Sequence, residues 1–362
     1  MGDSPLKVLT IDGGGMRGLY SAKLLETICK RFSQKFHTKE PDIGKSFDII
    51  CGTSTGAILA CGLAFGVPIS KIQNLYMECG SEIFPNPMPH NKFKLLKWAF
   101  KNRKRPAANV DILKEKLEEN FATSTLGELY EDRSIALCIP TIDANTNQPR
   151  VLKTPHNNGK HRDNNYTLVD ACLASASAPI FFPLSTRKIK NTSKSKRYFV
   201  DGGLWANNPI LVGLIEALSI AEKNQSISIL SVGTCDQSNS DPSKLKNPKW
   251  GVLDWGVGVG IVDMSINVQS SSYTYMAKFL SASLNNTGSD IRIARLKEQK
   301  KSPQQYGFLG LDRADEVAIE TMVTLAESDA DWNYSKAISP TPGNLKLLTE
   351  IFSDIKELKK RS

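Results

Sequence analysis

FDIICGTSTGAILA, residues 47–60, is the stretch whose reading decides the fold. Phe47 to Cys51 form a short, mostly apolar run that reads as a buried strand. The following TGAILACGLAF is apolar all round and reads as a buried helix. Between them, Gly52, Ser54 and Gly56 have the G-x-S-x-G spacing, in which flanking glycines permit a strained strand-to-helix turn that exposes a serine hydroxyl. A buried strand that turns straight into a buried helix belongs to a largely parallel sheet covered on both faces. Ser54 is therefore a candidate nucleophile and needs a base. The chain has four histidines, His37, His90, His156 and His161, each in a polar, loop-like stretch.

The same pattern recurs along the chain. LKVLTI (6–11) predicts a buried strand, and MRGLYSAKLLETICKRF predicts a helix after it. Strands are expected over 133–143 and 150–155, and a helix over 167–178 with Thr167 as N-cap and Asp170 in the capping-box position. KRYFVDGG ends a strand, Asn208 and Pro209 open a helix, and SISILSVGT is a further buried strand. Residues 235–249 are polar and read as a loop. Beyond about residue 250 the expectation is mostly helix, with one short strand, DIRIARL, and late helices near 313–327 and 343–359. This divides the chain into a catalytic domain over 5–235 and a mainly helical C-terminal extension over 236–362, packed on the same domain.

IDGGGMRG (11–18) has two readings. Gly13, Gly15 and Gly18 fit the dinucleotide pattern G-x-G-x-x-G. Asp12 opposes it, because a carboxylate would sit beside a pyrophosphate, and no acid ends the second strand to hold a ribose. The other reading is a nest of backbone N–H groups at a helix N-terminus, which stabilises an anion. That anion can be the oxyanion of a tetrahedral acyl intermediate, with Arg17 adding charge or holding the loop. VDGGLWANNP (200–209) supplies the third motif. Asp201 ends a strand and, in a parallel sheet, would lie at the same edge as Gly13 and Ser54. Alone it is more simply a turn residue. Beside Ser54 it is a candidate base, since burial raises a carboxyl pKa toward neutrality. A long loop carrying His156 or His161 to the site is the alternative.

DGGGMRG, GTSTG and DGG, in this order and together with ASASAP (174–179), resemble the motifs of the patatin-like phospholipases, serine acyl hydrolases that use a Ser–Asp dyad. The resemblance covers roughly residues 5–235. It implies a three-layer α/β patatin-like fold with a mostly parallel central sheet flanked by helices. It implies Ser54 as nucleophile, Asp201 as general base, Gly13, Gly14 and Gly15 as oxyanion hole and Arg17 as its support. Gly52 and Gly56 then form the nucleophile elbow, and Gly202 and Gly203 complete the Asp-Gly-Gly motif. The implied reaction is hydrolysis of fatty-acyl esters of membrane glycerophospholipids through an acyl-enzyme, with no metal and no cofactor. The chain is also similar to stand-alone bacterial patatins, some of which are anti-phage effectors switched on by cyclic oligonucleotides. This implies such a nucleotide as partner, although no legible motif binds one.

A net charge of +9, with a pI near 9.1, favours anionic partners. The resemblance selects a phospholipid surface, and no DNA or RNA is expected. The seven cysteines form no CxxC pair, which suits a reducing compartment. The N-terminus shows no secretory signal, and Leu6 stands where a myristoylation site needs Ser or Thr. No apolar run approaches the ~20 residues of a membrane span. The expectation is a cytoplasmic protein that meets membranes peripherally when active, with a homo-oligomer left open. KFKLLKWAFKNRKR (92–105) mixes cations with apolar residues, as membrane-surface helices do. Lys97, Trp98, Lys101, Arg103 and Lys104 are its candidate contacts. The rival reading packs Leu96 and Phe100 on the core. A second basic run, 186–197, reads as a loop between strands. Two other functions fit the same residues, a soluble esterase on small esters and a nucleotide-sensing or interaction protein with an idle hydrolase site.

Overall fold

The computed structural model describes residues 4–36, 40–89, 92–157, 161–188, 196–235, 251, 255 and 259–359. Its strands are β1 (Leu6–Ile11), β2 (Ile49–Gly52), β3 (Ala136–Asp143), β4 (Gln148–Lys153), β5 (Ser185–Lys188), β6 (Lys196–Asp201), β7 (Ile227–Val232) and β8 (Ile291–Arg295). They form one sheet in the order β5-β6-β3-β2-β1-β7-β8, with β4 also on β3. The strands β3, β2, β1, β7 and β8 run parallel. They are apolar on both faces because helices cover both, which is how parallel sheets are buried. The hairpin strand β4 and strand β6 are antiparallel to β3, and β5 is antiparallel to β6.

The helices are α1 (Gly18–Phe36), α2 (Thr55–Phe65), α3 (Ile69–Ile83), α4 (Lys92–Lys101), α5 (Val110–Phe121), α6 (Leu126–Arg133), α7 (Leu168–Ala176), α8 (Gly203–Ala206), α9 (Ile210–Ile220), α10 (Val259–Asn285), α11 (Pro303–Tyr306), α12 (Glu316–Ala337) and α13 (Lys346–Phe352). Alternate strand residues feed two cores. Leu9, Ile11, Ile50 and Leu137 pack with α1, α2, α3, α7 and α12 on one face. Val8, Ile49, Cys51 and Ile229 pack with α9 and α10 on the other. The result is a three-layer α/β arrangement. The cap expected at Thr167 is present, with Asp170 closing a reciprocal capping box on α7; α9 begins one residue later than expected, with Pro209 at its N-cap, and Asn208 Oδ1 accepts the Ile210 N–H at 3.1 Å just ahead of it.

Several expectations change. The short strand expected in DIRIARL is present over 291–295, and it joins the main sheet as the parallel edge strand β8. The late helix expected near 313–327 runs over Glu316–Ala337, and the one expected near 343–359 only over Lys346–Phe352. The basic run 186–197 begins and ends in strands β5 and β6, while the loop expected at 235–249 lies, after Cys235, outside the described residues. No helix among the described residues is long and apolar enough to cross a membrane.

Helix α12 is fastened to α1 through the core. Tyr20 is fully buried and its hydroxyl donates to Asp329 Oδ2 at 2.7 Å. Phe32 meets Tyr334 edge-on at 5.0 Å. Burial raises the Asp329 pKa, and the Tyr20 hydroxyl opposes that shift. Tyr20→Phe removes this donor and nothing else of comparable size. Urea unfolding should show a loss of about 1–3 kcal/mol, the cost of leaving a buried acceptor short of a partner.

Candidate active site

Ser54 stands at the turn between β2 and α2 with φ 55° and ψ −122°, a strained conformation for a non-glycine residue. Its neighbours make the turn sterically feasible. A Cβ on Gly52 would lie 2.1 Å from Gly56 O, and one on Gly56 would lie 2.5 Å from the carbonyls of Ile11 and Asp12. The Ser54 Oγ–H donates to Asp201 Oδ2 at 2.8 Å, and the Gly203 N–H donates to Asp201 Oδ1 at 2.6 Å. Both residues are held by the end of α7. Ser54 N–H donates to Ser175 Oγ at 2.9 Å, and Ser175 Oγ–H donates to Pro140 O at 2.6 Å. Asp201 N–H and Gly202 N–H donate to the carbonyls of Ser177 and Ser175. Burial raises the Asp201 pKa, only partly offset by the hydrogen bonds from Gly203 and Ser54, and it stands at about 6.

The route by which Asp201 arrives differs from the expected one. Strand β6 is antiparallel, not parallel. Strand β2 pairs with β3 as far as Cys138, and β6 pairs with it from Thr141 onward. Strand β4 occupies the opposite edge of β3 throughout this stretch. So β2 and β6 share one edge of β3 and meet end to end, and the turn after each brings Ser54 and Asp201 together.

The glycine loop lies over Ser54. A Cβ on Gly13 would come within 3.1 Å of Ser54 Cβ and 2.5 Å of Asn207 Oδ1. The expectation that all three glycines offer donors is corrected, because Gly13 N–H is spent on Asn207 O at 2.9 Å. Gly14 N–H makes a longer bond to Thr55 Oγ1, 3.2 Å. Gly15, at φ +56°, has no N–H partner among the described residues. Arg17 is buried and its Nε–H reaches Gly14 O at 3.3 Å, so it braces the loop from behind. Asp12, too, is fully buried and receives two hydrogen bonds from Arg295 of β8, at 2.9 and 2.5 Å. Ser175, Asn207 and Arg295 are the residues that sequence reasoning missed. Of these only Ser175 carried a signal, the ASASAP run.

Ser54, Asp201 and the glycines border a cavity of about 140 Å³ whose walls include Ile58, Leu75, Ile83, Phe84, Leu113 and Phe182. The apolar lining suits an acyl chain. Neither His156 nor His161 borders it, and His37 and His90 lie outside the described residues. The ring nitrogens of His156 engage Thr154 Oγ1 at 2.7 Å and Glu216 Oε1 at 3.0 Å. Cys138, His156 and Glu216 place their donor atoms within 4.8 Å of one another. Lys153 Nζ, 2.6 Å from Glu216, already balances that carboxylate, so the group reads as a buried ion-pair cluster. In α4, Lys97, Lys101, Arg103 and Lys104 are exposed as expected, but Trp98 is not a surface residue. It is buried, donates Nε1–H to Asn86 O at 2.9 Å and sits 6.3 Å from the Phe181 ring. Leu96 and Phe100, which the core-packing reading buried, are exposed.

A family model described as patatin-like phospholipase matches residues 9–214. A cGAMP-activated phospholipase of Escherichia coli is 32% identical over 72% of this chain and 72% of its own length. One from Vibrio cholerae is 34% identical over 71% of this chain and 72% of its length. One from Pseudomonas aeruginosa is 32% identical over 75% and 74%.

The buried carboxylate has a stability consequence. The folded Asp201 titrates near 6, against 3.8 for an unperturbed aspartate. Below 3.8 both states are protonated and the shift costs nothing; the cost grows between the two values and is complete above 6. At about 1.4 kcal/mol per pH unit it reaches roughly 3 kcal/mol. Asp201→Asn should therefore unfold at a higher urea concentration than the parent at pH 8, and the difference should vanish at pH 4. A variant less stable than the parent at pH 8 would contradict the strained, buried carboxylate.

Proposed function

The chain belongs to the patatin-like phospholipase family, and is thus a lipid acyl hydrolase; from that premise we propose that it cleaves fatty-acyl esters of membrane glycerophospholipids through a Ser54–Asp201 dyad. The observation that carries this reading is the 2.8 Å hydrogen bond from Ser54 Oγ to a buried, basic-shifted carboxylate at the edge of an apolar cavity. The acyl chain occupies the cavity. As Asp201 takes the hydroxyl proton, Ser54 Oγ attacks the ester carbonyl. The N–H groups of Gly14 and Gly15 stabilise the oxyanion that forms, and Gly13 fixes the loop. Collapse expels the lysolipid alkoxide, which takes the proton back from Asp201. Water, deprotonated by the same carboxylate, then releases the fatty acid and restores Ser54.

Asp201 must be ionised to accept a proton. With its pKa near 6, kcat/KM should rise with pH through that value and level off above it. Ser54→Ala and Asp201→Asn should each lower turnover by on the order of a hundredfold or more. The double variant should be scarcely worse than either, because nucleophile and base act as a unit. An Asp201→Asn enzyme that kept more than about a tenth of the parent rate would remove the dyad.

Three relatives described as cGAMP-activated support a gated enzyme. The reading is that the resting chain is poorly active and a cyclic dinucleotide raises its activity, which spares the host membrane until a defence signal arrives. Fatty-acid release from phospholipid vesicles should therefore be low for the purified chain and climb steeply on titration with cGAMP. Full activity without nucleotide, unchanged by cGAMP, would overturn the gating.

A further inference from the structure

The mouth of the cavity is apolar. Ile180, Leu204 and Val262 line the cavity and are also 49%, 38% and 38% exposed, so its lining continues onto the outer surface. Ile180 has a further peculiarity. It has φ +76°, a genuine outlier for a β-branched residue. Outliers of this kind persist only where surrounding structure enforces them, and they cluster at functional sites. The enforcing bonds here are Ala107 N–H to Ile180 O, 3.2 Å, and Ala108 N–H to Phe181 O, 2.9 Å.

Those two donors follow directly on the basic segment that includes α4. With Trp98 anchored inward beside Phe181, α4 turns Leu96 and Phe100 outward among exposed Lys97, Lys101, Arg103 and Lys104. The Arg103 guanidinium lies 3.8 Å from the centre of the Phe100 ring. Residues 83–110 contain no Asp or Glu, so the cations of this surface have no acid of their own segment to neutralise them. An apolar rim around an apolar cavity, joined to a basic helix that carries no acid of its own, matches the two zones of a bilayer surface. Nucleic acid would use the cations but offers no apolar phase to Ile180 and Leu204.

We infer that the rim and α4 form one membrane-docking face, in which Ile180, Leu204, Leu96 and Phe100 enter the acyl region of an anionic bilayer while the α4 cations meet its phosphate head groups. Docking places the cavity mouth against the bilayer, so an acyl chain passes into the cavity without crossing water. The inference rests on reading the site as an acyl-ester hydrolase.

Docking is measured by co-sedimentation of the full chain carrying Ser54→Ala, with cGAMP present, on phosphatidylethanolamine vesicles containing phosphatidylglycerol. Each basic residue near an anionic surface contributes roughly fivefold to affinity. Lys97→Gln, Lys101→Gln and Lys104→Gln together should weaken docking at least tenfold at low salt, with the gap closing at high salt. Ile180→Gly should weaken docking at either salt concentration while leaving Tm unchanged or higher, since glycine is unstrained at positive φ. In chains that retain Ser54, the Gln variant should lose vesicle hydrolysis in proportion and hydrolyse a short soluble ester at the parent rate. Parent-level docking by both variants would overturn the inference. So would light scattering showing that these substitutions dissociate a dimer while docking is unchanged, which would give the face to a second copy. Failure of the Ser54 chain to hydrolyse either substrate with cGAMP present would sink the hydrolase reading instead, since docking of the Ser54→Ala chain is read without turnover.

Discussion

The site depends on one edge of β3 being shared by two strands that run toward each other. Strand β2 holds that edge up to Cys138, β6 holds it from Thr141, and between them Pro140 offers no N–H to either. Both strands must turn out of the sheet where they meet. One turn carries Ser54 and the other Asp201. The helix end at Ser175 to Ser177 fills the junction and bonds to the backbone on both sides of it. A shift of either strand by one residue would move its side chain to the other face of the sheet.

The glycine loop is held from a different direction. Its carboxylate, Asp12, is neutralised by Arg295 on β8, and Met16 N–H donates to Leu311 O at 2.7 Å. Asn207, which receives the Gly13 N–H, is itself fixed by Gln269 and Ser270 of α10. The motifs lie in the first 214 residues, yet the glycine loop is clamped by residues from the last third of the chain. Burying the Asp12–Arg295 pair gains little net stability by itself, because desolvation offsets the Coulombic attraction. Its effect is to keep a glycine-rich, entropically costly loop in one conformation.

Stability and chemistry pull in opposite directions at Asp201. The apolar wall that suits an acyl chain also removes water from the carboxylate, which raises its pKa and makes it a better proton acceptor at neutral pH. Ser54 at φ 55° and Ile180 at φ +76° add backbone strain in the same region. Two well-packed cores on either face of the sheet carry these local costs.

The parallel core, the elbow and the two candidate reacting groups are legible in the sequence alone. A two-sided apolar run such as β2, the glycines at 52 and 56, and the N-cap at Thr167 are local signals, governed by backbone sterics and by hydrogen bonds within a few residues. Asp201 is legible as a candidate base, whereas the antiparallel direction of its strand is not. Direction depends on which edge of β3 remains open, and no local pattern records that. Gly13 was credited with a donor that only the fold assigns to Asn207. An amphipathic basic helix fixes the presence of an inward face, not which residues occupy it when the stripe is mixed, so only the fold turns Trp98 inward. Arg295 and Asn207 had no readable signal at all. They act on residues 283 and 194 positions away, and contacts of that range exist only once the sheet has closed and its helices have packed.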